Sequence, residues 1–235
     1  MRRAEPPLVG VLGGMGPAAT VDFYAKLIAA TAAQRDQDHL RVMIWADPTV
    51  PDRSAAIAGD GEDPTPRLVE GARHLAAAGA AFYVVVCNGA HAFLPRVRQQ
   101  VDLDYLSIID ATVDHLAALP GVRRAGILAT DATLTARLYQ DGLEGAAIEP
   151  VVPAAADQRS VMETIFAVKS RTVSPGQKAA LIGVAAGLAE RGADVVVAAC
   201  TELPLLLTSQ ELPTRLVDPT AILAGRTVEA ARGSS

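Results

Sequence analysis

The chain contains two cysteines, Cys87 and Cys200, and each follows a run of valines. Cys87 lies in VVVCNGAH, residues 84–91, and Cys200 lies in VVVAACTE, residues 195–202. A run of β-branched residues between small residues predicts a buried parallel strand. Ligands of open α/β sheets bind outside the carboxyl ends of the strands. The sequence therefore predicts one thiol at each of two strand ends.

Two thiols on opposite walls of a cleft fit a two-base reaction at carbon. One thiolate removes a proton from one face of a tetrahedral carbon, and the other thiol donates a proton to the opposite face. A single cysteine on a valine-rich strand is usually a small buried hydrophobe. Here both cysteines of the chain follow such strands, which favours a catalytic role for the pair. Helices predicted after both cysteines would lower the thiol pKa, and the backbone N–H groups with the Thr201 hydroxyl could stabilise the carbanion.

Three other functions of cysteine explain the two thiols less well. A disulfide oxidoreductase would use C-x-x-C, which the chain lacks. Cys87 and His91 could form the pair of a cysteine hydrolase, but Cys200 would then have no role. Two thiols are too few for a closed zinc site, and no histidine pair has ligand spacing. We therefore expect no metal.

The spacing of the motifs predicts a duplicated architecture. Cys87 follows Gly10 by 77 residues, and Cys200 follows Gly126 by 74 residues. We predict an α/β fold of two pseudo-symmetric, doubly wound domains, each with a mostly parallel sheet and with the active site in the cleft between them. The first domain would comprise residues 1–111 with 214–235, and the second residues 112–213.

Composition excludes several classes of function. The 235 residues are 50% hydrophobic, which is ample for a folded core. A net charge of −5, a pI near 5.4 and 4% aromatic residues argue against a nucleic-acid partner. No apolar run reaches membrane-spanning length, and prolines and glycines interrupt the start of the chain, so it does not resemble a signal peptide. We expect a cytoplasmic protein with reduced thiols.

Two further segments could bind a ligand. Gly13, Gly14 and Gly16 predict a tight turn before a helix, which could bind an anion. Residues 14–19 match G-x-G-x-x-A, but the acidic residue of a dinucleotide site is missing, so a nucleotide-dependent oxidoreductase is only a rival. The second segment, residues 47–66, is predicted to be a long irregular loop. Arg53 in it could be solvated, could pair with Asp52, or could bind a carboxylate.

Four motifs together resemble a known family: GGMGPAAT, VPDRSAAI, CNGAH and CTELPLLL, at residues 13–20, 50–57, 87–91 and 200–207. They resemble the PLP-independent aspartate/glutamate racemase family, and aspartate racemase most closely. The resemblance covers nearly the whole chain. It implies two pseudo-symmetric α/β domains, a homodimer, no cofactor, and two facing catalytic cysteines.

The resemblance also implies substrate-binding residues. Arg53 and Lys169 would hold the side-chain carboxylate, although Lys169 could equally be a solvated lysine at a helix end. Asn88 and Thr201 would hold the α-carboxylate, and the last members of the predicted site are Met15 and Gly89.

The chain departs from the family pattern at several positions. Gly89 replaces the usual threonine of C-N-T-A-H, and Asp47 stands where asparagine is common. Lys169 is followed by Ser170 and Arg171, where glycine is more usual. An aspartate at position 47 would repel an acidic substrate but could hold its ammonium group. These differences put the identity of the substrate in question.

The resulting prediction is a cofactor-independent amino-acid racemase acting on aspartate or glutamate. Cys87 and Cys200 would be its acid/base pair. One alternative is an isomerase or decarboxylase of a dicarboxylate with the same fold. Another is a non-catalytic protein that binds a small acid. The expected partners are a small-molecule amino acid and a second copy of the chain, with no nucleic acid and no membrane.

Overall fold

The computed structural model describes residues 6–233. Residues 1–5, which hold the charged start of the chain, and residues 234–235 lie outside the described part. The elements of the first half are β1 Leu8–Gly13, α1 Pro17–Ala30, β2 Arg41–Ala46, α2 Arg53–Ala58, α3 Thr65–Ala77, β3 Ala80–Val85, α4 Leu94–Arg98, β4 Tyr105–Leu106 and α5 Ile108–Ala117. Those of the second half are β5 Arg124–Leu128, α6 Asp131–Thr135, α7 Gln140–Gly145, β6 Glu149–Val151, α8 Ala155–Ser170, α9 Pro175–Glu190, β7 Val195–Ala198, β8 Arg215–Val217 and α10 Pro219–Gly233.

The strands form two parallel sheets with equivalent topology. The first sheet has the order β2-β1-β3-β4, and the second has the order β6-β5-β7-β8. Gly10 of β1 pairs with Met43 and Tyr83, and Gly126 of β5 pairs in the same way with Val151 and Val196. Both glycines allow a helix side chain to lie against the sheet, Leu75 at Gly10 and Leu188 at Gly126. The predicted α/β fold of two related halves is confirmed.

Alternation along β3 and β7 places the cysteines on matching faces. Because successive strand residues point to opposite faces, the side chains of each strand divide between two clusters. One central cluster contains residues of both halves, including Phe82, Val84, Val86, Val195, Val197 and Ala199. The opposite faces pack under the outer helices, with Cys87 in a cluster that includes α3 and α4 residues and Cys200 in one that includes α8 and α9 residues.

Helix α10 returns to the first half of the chain, as the sequence predicts. It packs against α1 and α5, and Asp218 just before it forms a salt bridge with Lys26 of α1 at 2.7 Å. Strand β8 belongs to the same segment, residues 214–235, yet it pairs with β7 of the second sheet. The predicted domain boundaries therefore stay a prediction.

Several predicted elements differ from the structure. The expected loop at residues 47–66 contains helix α2, because the Asp52 carboxylate caps it by accepting from the Ala55 N–H at 2.8 Å. Pro95, near the start of α4, has no N–H to continue a helix from Cys87, so only a 3₁₀ turn, Gly89–Ala92, precedes α4. The sequence also predicts one helix over residues 131–142, which the structure divides into α6 and α7 at Arg137, whose φ is 52°.

The sequence predicts a strand over residues 105–109, and the strand in the structure is shorter. It ends at Leu106, because the Ser107 hydroxyl caps α5 by accepting from the Asp110 N–H at 3.1 Å. Helices α8 and α9 have 16 residues each. Between residues 6 and 233, no helix is both long enough and apolar enough to cross a membrane.

Candidate active site

Both cysteines line one small cavity between the halves. Each thiol residue is 8% exposed, and the cavity has a volume of about 30 Å³. The other predicted site residues line the same cavity: Met15, Arg53, Asn88, Gly89, Lys169 and Thr201. We call this space the inner cavity. The structure brings the predicted residues together, while their roles stay predictions.

His91 fixes the turn that carries Cys87. Its Nε2 accepts from the Ile108 N–H at 3.2 Å, so its Nδ1 carries the proton and donates to the Cys87 carbonyl at 2.8 Å. Burial lowers the pKa of His91 to about 4, which keeps the imidazole neutral. Because both ring nitrogens bind backbone groups, His91 has no free nitrogen to act as a base for the Cys87 thiol. The Cys–His hydrolase alternative is therefore wrong.

Glu202, which the sequence-based prediction did not include, contacts Cys200 directly. The Cys200 Sγ donates to Glu202 Oε2 at 3.0 Å, and the Thr201 hydroxyl donates to the same oxygen at 3.3 Å. Burial, followed by the charge and hydrogen bond of Glu202, raises the pKa of Cys200 well above its usual value. The nearby Lys169 charge opposes this rise. The sequence signal that could have identified Glu202 is its position two residues after Cys200, in the motif CTE.

The expected lowering of the Cys200 pKa by a following helix is wrong. The helical segment after Cys200 is a 3₁₀ turn of three residues, Leu203–Leu205. Such a short segment aligns few peptide dipoles, so its effect is small compared with burial and the adjacent carboxylate. In the free protein, the raised pKa keeps Cys200 in the thiol form.

Asn88 presents an unused donor at the inner cavity. It is 3% exposed, and its Nδ2 has no hydrogen-bond partner among residues 6–233. Its Oδ1 accepts from the Tyr139 hydroxyl, in the second half, at 2.6 Å. Burial raises the pKa of Tyr139, so the phenol remains protonated and donates. This hydrogen bond fixes the amide, and its NH₂ group is available to a carboxylate.

Arg53 begins helix α2 and is held by backbone carbonyls. One guanidinium nitrogen, NH1, donates to the carbonyls of Val50 and Pro51, both at 3.0 Å. Its Nε is buried without a partner in the described part of the chain. Asp52 caps the helix instead of pairing with Arg53. Arg53 is therefore neither a solvated arginine nor the ion-pair partner of Asp52. Lys169 is exposed at the end of α8, as a solvated lysine would be, and also lines the inner cavity.

The glycines near the site have different roles. At Gly89 an added Cβ would lie 3.5 Å from the Arg53 Cβ, which is ordinary contact, so a side chain could fit there. Gly14 has φ +91°, and a Cβ there would lie 2.4 Å from the Asp47 backbone nitrogen. This close approach explains the glycine without a nucleotide. The Asp47 carboxylate accepts from the Thr49 N–H and hydroxyl, at 2.8 and 2.6 Å, and it lines neither the inner cavity nor the larger space beside it.

That larger space, the outer chamber, has a volume of about 670 Å³. Residues that line both spaces form a shared wall: Met15, Asp52, Arg53, Lys169 and Glu202. A third cavity, of about 560 Å³ between α5 and α10, contains none of the predicted site residues. Across residues 6–233, no group of three or more His, Cys, Asp or Glu side chains could hold a metal ion.

Comparison with known proteins finds one family whose model matches most of the chain. Residues 12–227 match the family described as Asp/Glu/hydantoin racemase. The broad specificity amino-acid racemase RacX of Bacillus subtilis (strain 168) is 27% identical over 225 residues, which cover 94% of this chain and 96% of RacX. The structure of Picrophilus torridus aspartate racemase is 31% identical, with a TM-score of 0.86 and coverage of 96% of this chain and 94% of that one.

A more distant structure shares the fold alone. Glutamate racemase from Francisella tularensis, in complex with D-glutamate, is 13% identical with a TM-score of 0.72, and the match covers 98% of this chain and 82% of that one. The family match spans most of the chain, and both halves of the fold are included. The chain therefore belongs to the Asp/Glu/hydantoin racemase family, and the enzymatic activity that this membership supports is amino-acid racemisation.

Proposed function

We propose that the protein is a cofactor-independent amino-acid racemase that inverts Cα with Cys87 and Cys200. The observation that carries the proposal is the position of the thiols. They follow equivalent strands of the two halves and line one cavity. A proton acceptor and a proton donor on different walls suit inversion.

In the proposed reaction the two thiols exchange protonation states. A Cys87 thiolate takes the Cα proton, an S–H bond forms, and the electron pair of the broken C–H bond is delocalised into the α-carboxylate. The Cys200 S–H bond then breaks as its proton passes to the opposite face of the planar carbon. The raised pKa of Cys200 supports its role as the donor in this direction. The forward step leaves Cys200 as a thiolate and Cys87 as a thiol, and in the reverse direction Cys200 is the base and Cys87 donates the proton.

The same proposal assigns the binding groups. The Asn88 Nδ2, which has no partner among the residues described, would donate to the α-carboxylate and strengthen its bond as charge develops. The Thr201 hydroxyl would turn from Glu202 to assist it. The buried Arg53 Nε and the Lys169 ammonium would hold the distal carboxylate of aspartate or glutamate. The names of the relatives, one an aspartate racemase and one a broad specificity racemase, support this range of substrates.

The proposal is tested by proton NMR of L- and D-amino acids in heavy water, followed by chiral chromatography. We expect loss of the Cα proton signal and appearance of the opposite enantiomer, without an added cofactor. Cys87→Ser and Cys200→Ser should each abolish racemisation. If no amino acid exchanges its proton, the racemase proposal fails, and tests of dicarboxylate isomerisation, decarboxylation and simple binding follow.

We also propose that the enzyme works as a homodimer in the cytoplasm, with an amino acid as its small-molecule partner and neither nucleic acid nor membrane. Family resemblance supports the dimer, and the acidic charge of the chain supports the lack of a nucleic-acid partner. Sedimentation equilibrium of the purified protein tests the dimer. A single species with the 24.4 kDa mass of one chain at micromolar concentration would contradict it.

A further inference from the structure

The outer chamber is much larger than the space around the thiols. Its volume of about 670 Å³ falls in the range of small-molecule pockets, about 300–1,000 Å³. The inner cavity, at about 30 Å³, has room for about one water molecule. A substrate whose Cα lies between the thiols must displace the shared wall, and its side chain then extends into the outer chamber.

The lining of the outer chamber has apolar walls and an excess of cations. Its apolar members include Pro17, Pro48, Val50, Val168 and Leu205. Its charged members are Asp52, Arg53, Lys169, Arg171 and Glu202, three cations against two carboxylates.

The two carboxylates already have donors. Asp52 accepts from the Ala55 N–H, and Glu202 accepts from Cys200 and Thr201. The side chains of Lys169 and Arg171, by contrast, form no ion pair with any residue from 6 to 233. A cation entering the chamber would meet like charges, while an anion would gain one or two partners.

We propose that the site takes α-amino acids whose side chain has an apolar stem longer than that of glutamate and an anionic end. Arg171, at the end of α8, binds that end together with Lys169. This inference rests on the proposed racemase function and specifies its substrate class. The glycine at position 89 agrees with it, because an open position beside Arg53 leaves room for a longer stem.

A series of substrates matched in length tests the charge of the side-chain end. 2-Aminoadipate, homoglutamine and lysine have side chains of similar length with an anionic, a neutral and a cationic end. We measure Cα proton exchange in heavy water for these three and for aspartate and glutamate. We expect kcat/KM for 2-aminoadipate to equal or exceed that for glutamate, to exceed that for homoglutamine about fivefold, and lysine to be slowest.

A pair of variants, one just after the end of α8 and one within it, tests the role of Arg171. Arg171→Gln should lower kcat/KM for 2-aminoadipate about two- to fivefold, as for an exposed ion pair, and should leave aspartate unchanged. Arg159→Gln is the matched control, because Arg159 is exposed on α8 and does not line the chamber. It should leave both substrates unchanged.

The outcomes separate the two proposals. Exchange of aspartate or glutamate without exchange of 2-aminoadipate overturns the inference and leaves the racemase function standing. Lysine as fast as 2-aminoadipate, or equal losses in the Arg171 and Arg159 variants, also overturns it. No exchange with any amino acid overturns the racemase function, and the inference with it.

Discussion

Acidification below about pH 6.5 should destabilise the fold through one buried imidazole, that of His91. Burial lowers its pKa to about 4, against the ordinary 6.5, and the neighbouring Asp110 charge only partly opposes this. Between these values the unfolded chain binds a proton that the folded chain does not. Stability therefore rises with pH through this window, is complete above it, and is lost as the pH falls toward 4.

The size of the effect follows from the two pKa values. Linkage gives a loss of about 2 kcal/mol at pH 5 and about 3 kcal/mol at pH 4, relative to pH 7. His91→Asn removes this titration. It should also destabilise the protein at pH 7 by about 1–3 kcal/mol, since the Cys87 carbonyl and Ile108 N–H lose their partners. The free-energy gap between wild type and variant should therefore narrow from pH 7 to pH 5.

Urea denaturation followed by circular dichroism at several pH values measures this gap. His39→Asn is the control, because His39 is half-buried and lies away from the cysteine turn. His115, whose pKa burial also lowers, titrates in the wild type and in both variants, so it cancels from the comparison. Carboxylates with lowered pKa values, such as Asp63 and Asp194, act mainly below pH 4. If the difference in unfolding free energy between wild type and His91→Asn stayed constant from pH 7 to pH 5, His91 would not be a neutral group with a lowered pKa.

Three substitutions at or directly behind the wall of the inner cavity give further tests. Tyr139→Phe removes the donor to Asn88 Oδ1 and should lower kcat/KM about two- to tenfold, with part of the loss in kcat. Tyr24→Phe, on the surface, should change neither constant, and an unaltered kcat/KM in Tyr139→Phe would argue against a positioning role. Glu202→Gln should lower the pKa of Cys200 and speed its alkylation by iodoacetamide at pH 8, measured by mass spectrometry, while Glu211→Gln should not. Gly89→Thr adds a hydroxyl where space exists and should raise kcat/KM for aspartate relative to 2-aminoadipate; an unchanged ratio would show that position 89 does not select substrates.

The sequence was sufficient for the architecture because the relevant signals are local. Valine runs, a glycine in β1 and in β5, and a cysteine after the third strand of each unit predict two related halves. Helix α2 was missed because it has six residues and lies among prolines and glycines typical of loops. Its start depends on one capping carboxylate, Asp52.

The electrostatics of the site could not be predicted in the same way. The raised pKa of Cys200 depends first on burial, which arises from packing of both halves. Tyr139 and Asn88 are 51 residues apart, and their hydrogen bond exists only once the halves associate. The outer chamber is likewise formed by segments from both halves, so its volume and its excess of cations are properties of the folded chain.

The alternation of side chains along β3 and β7 decides which face of each sheet carries the cysteine that follows the strand. Ala199 faces the central cluster and Cys200 faces away from it. Deleting one residue within β7 would reverse this order and direct the thiol into the apolar contact between the halves. The segments that follow the two strands also carry Asn88 and Thr201, so the spacing from strand to cavity is fixed on both sides of each cysteine. The number of residues in each of these two strands therefore fixes the direction of the thiols before any substrate is bound.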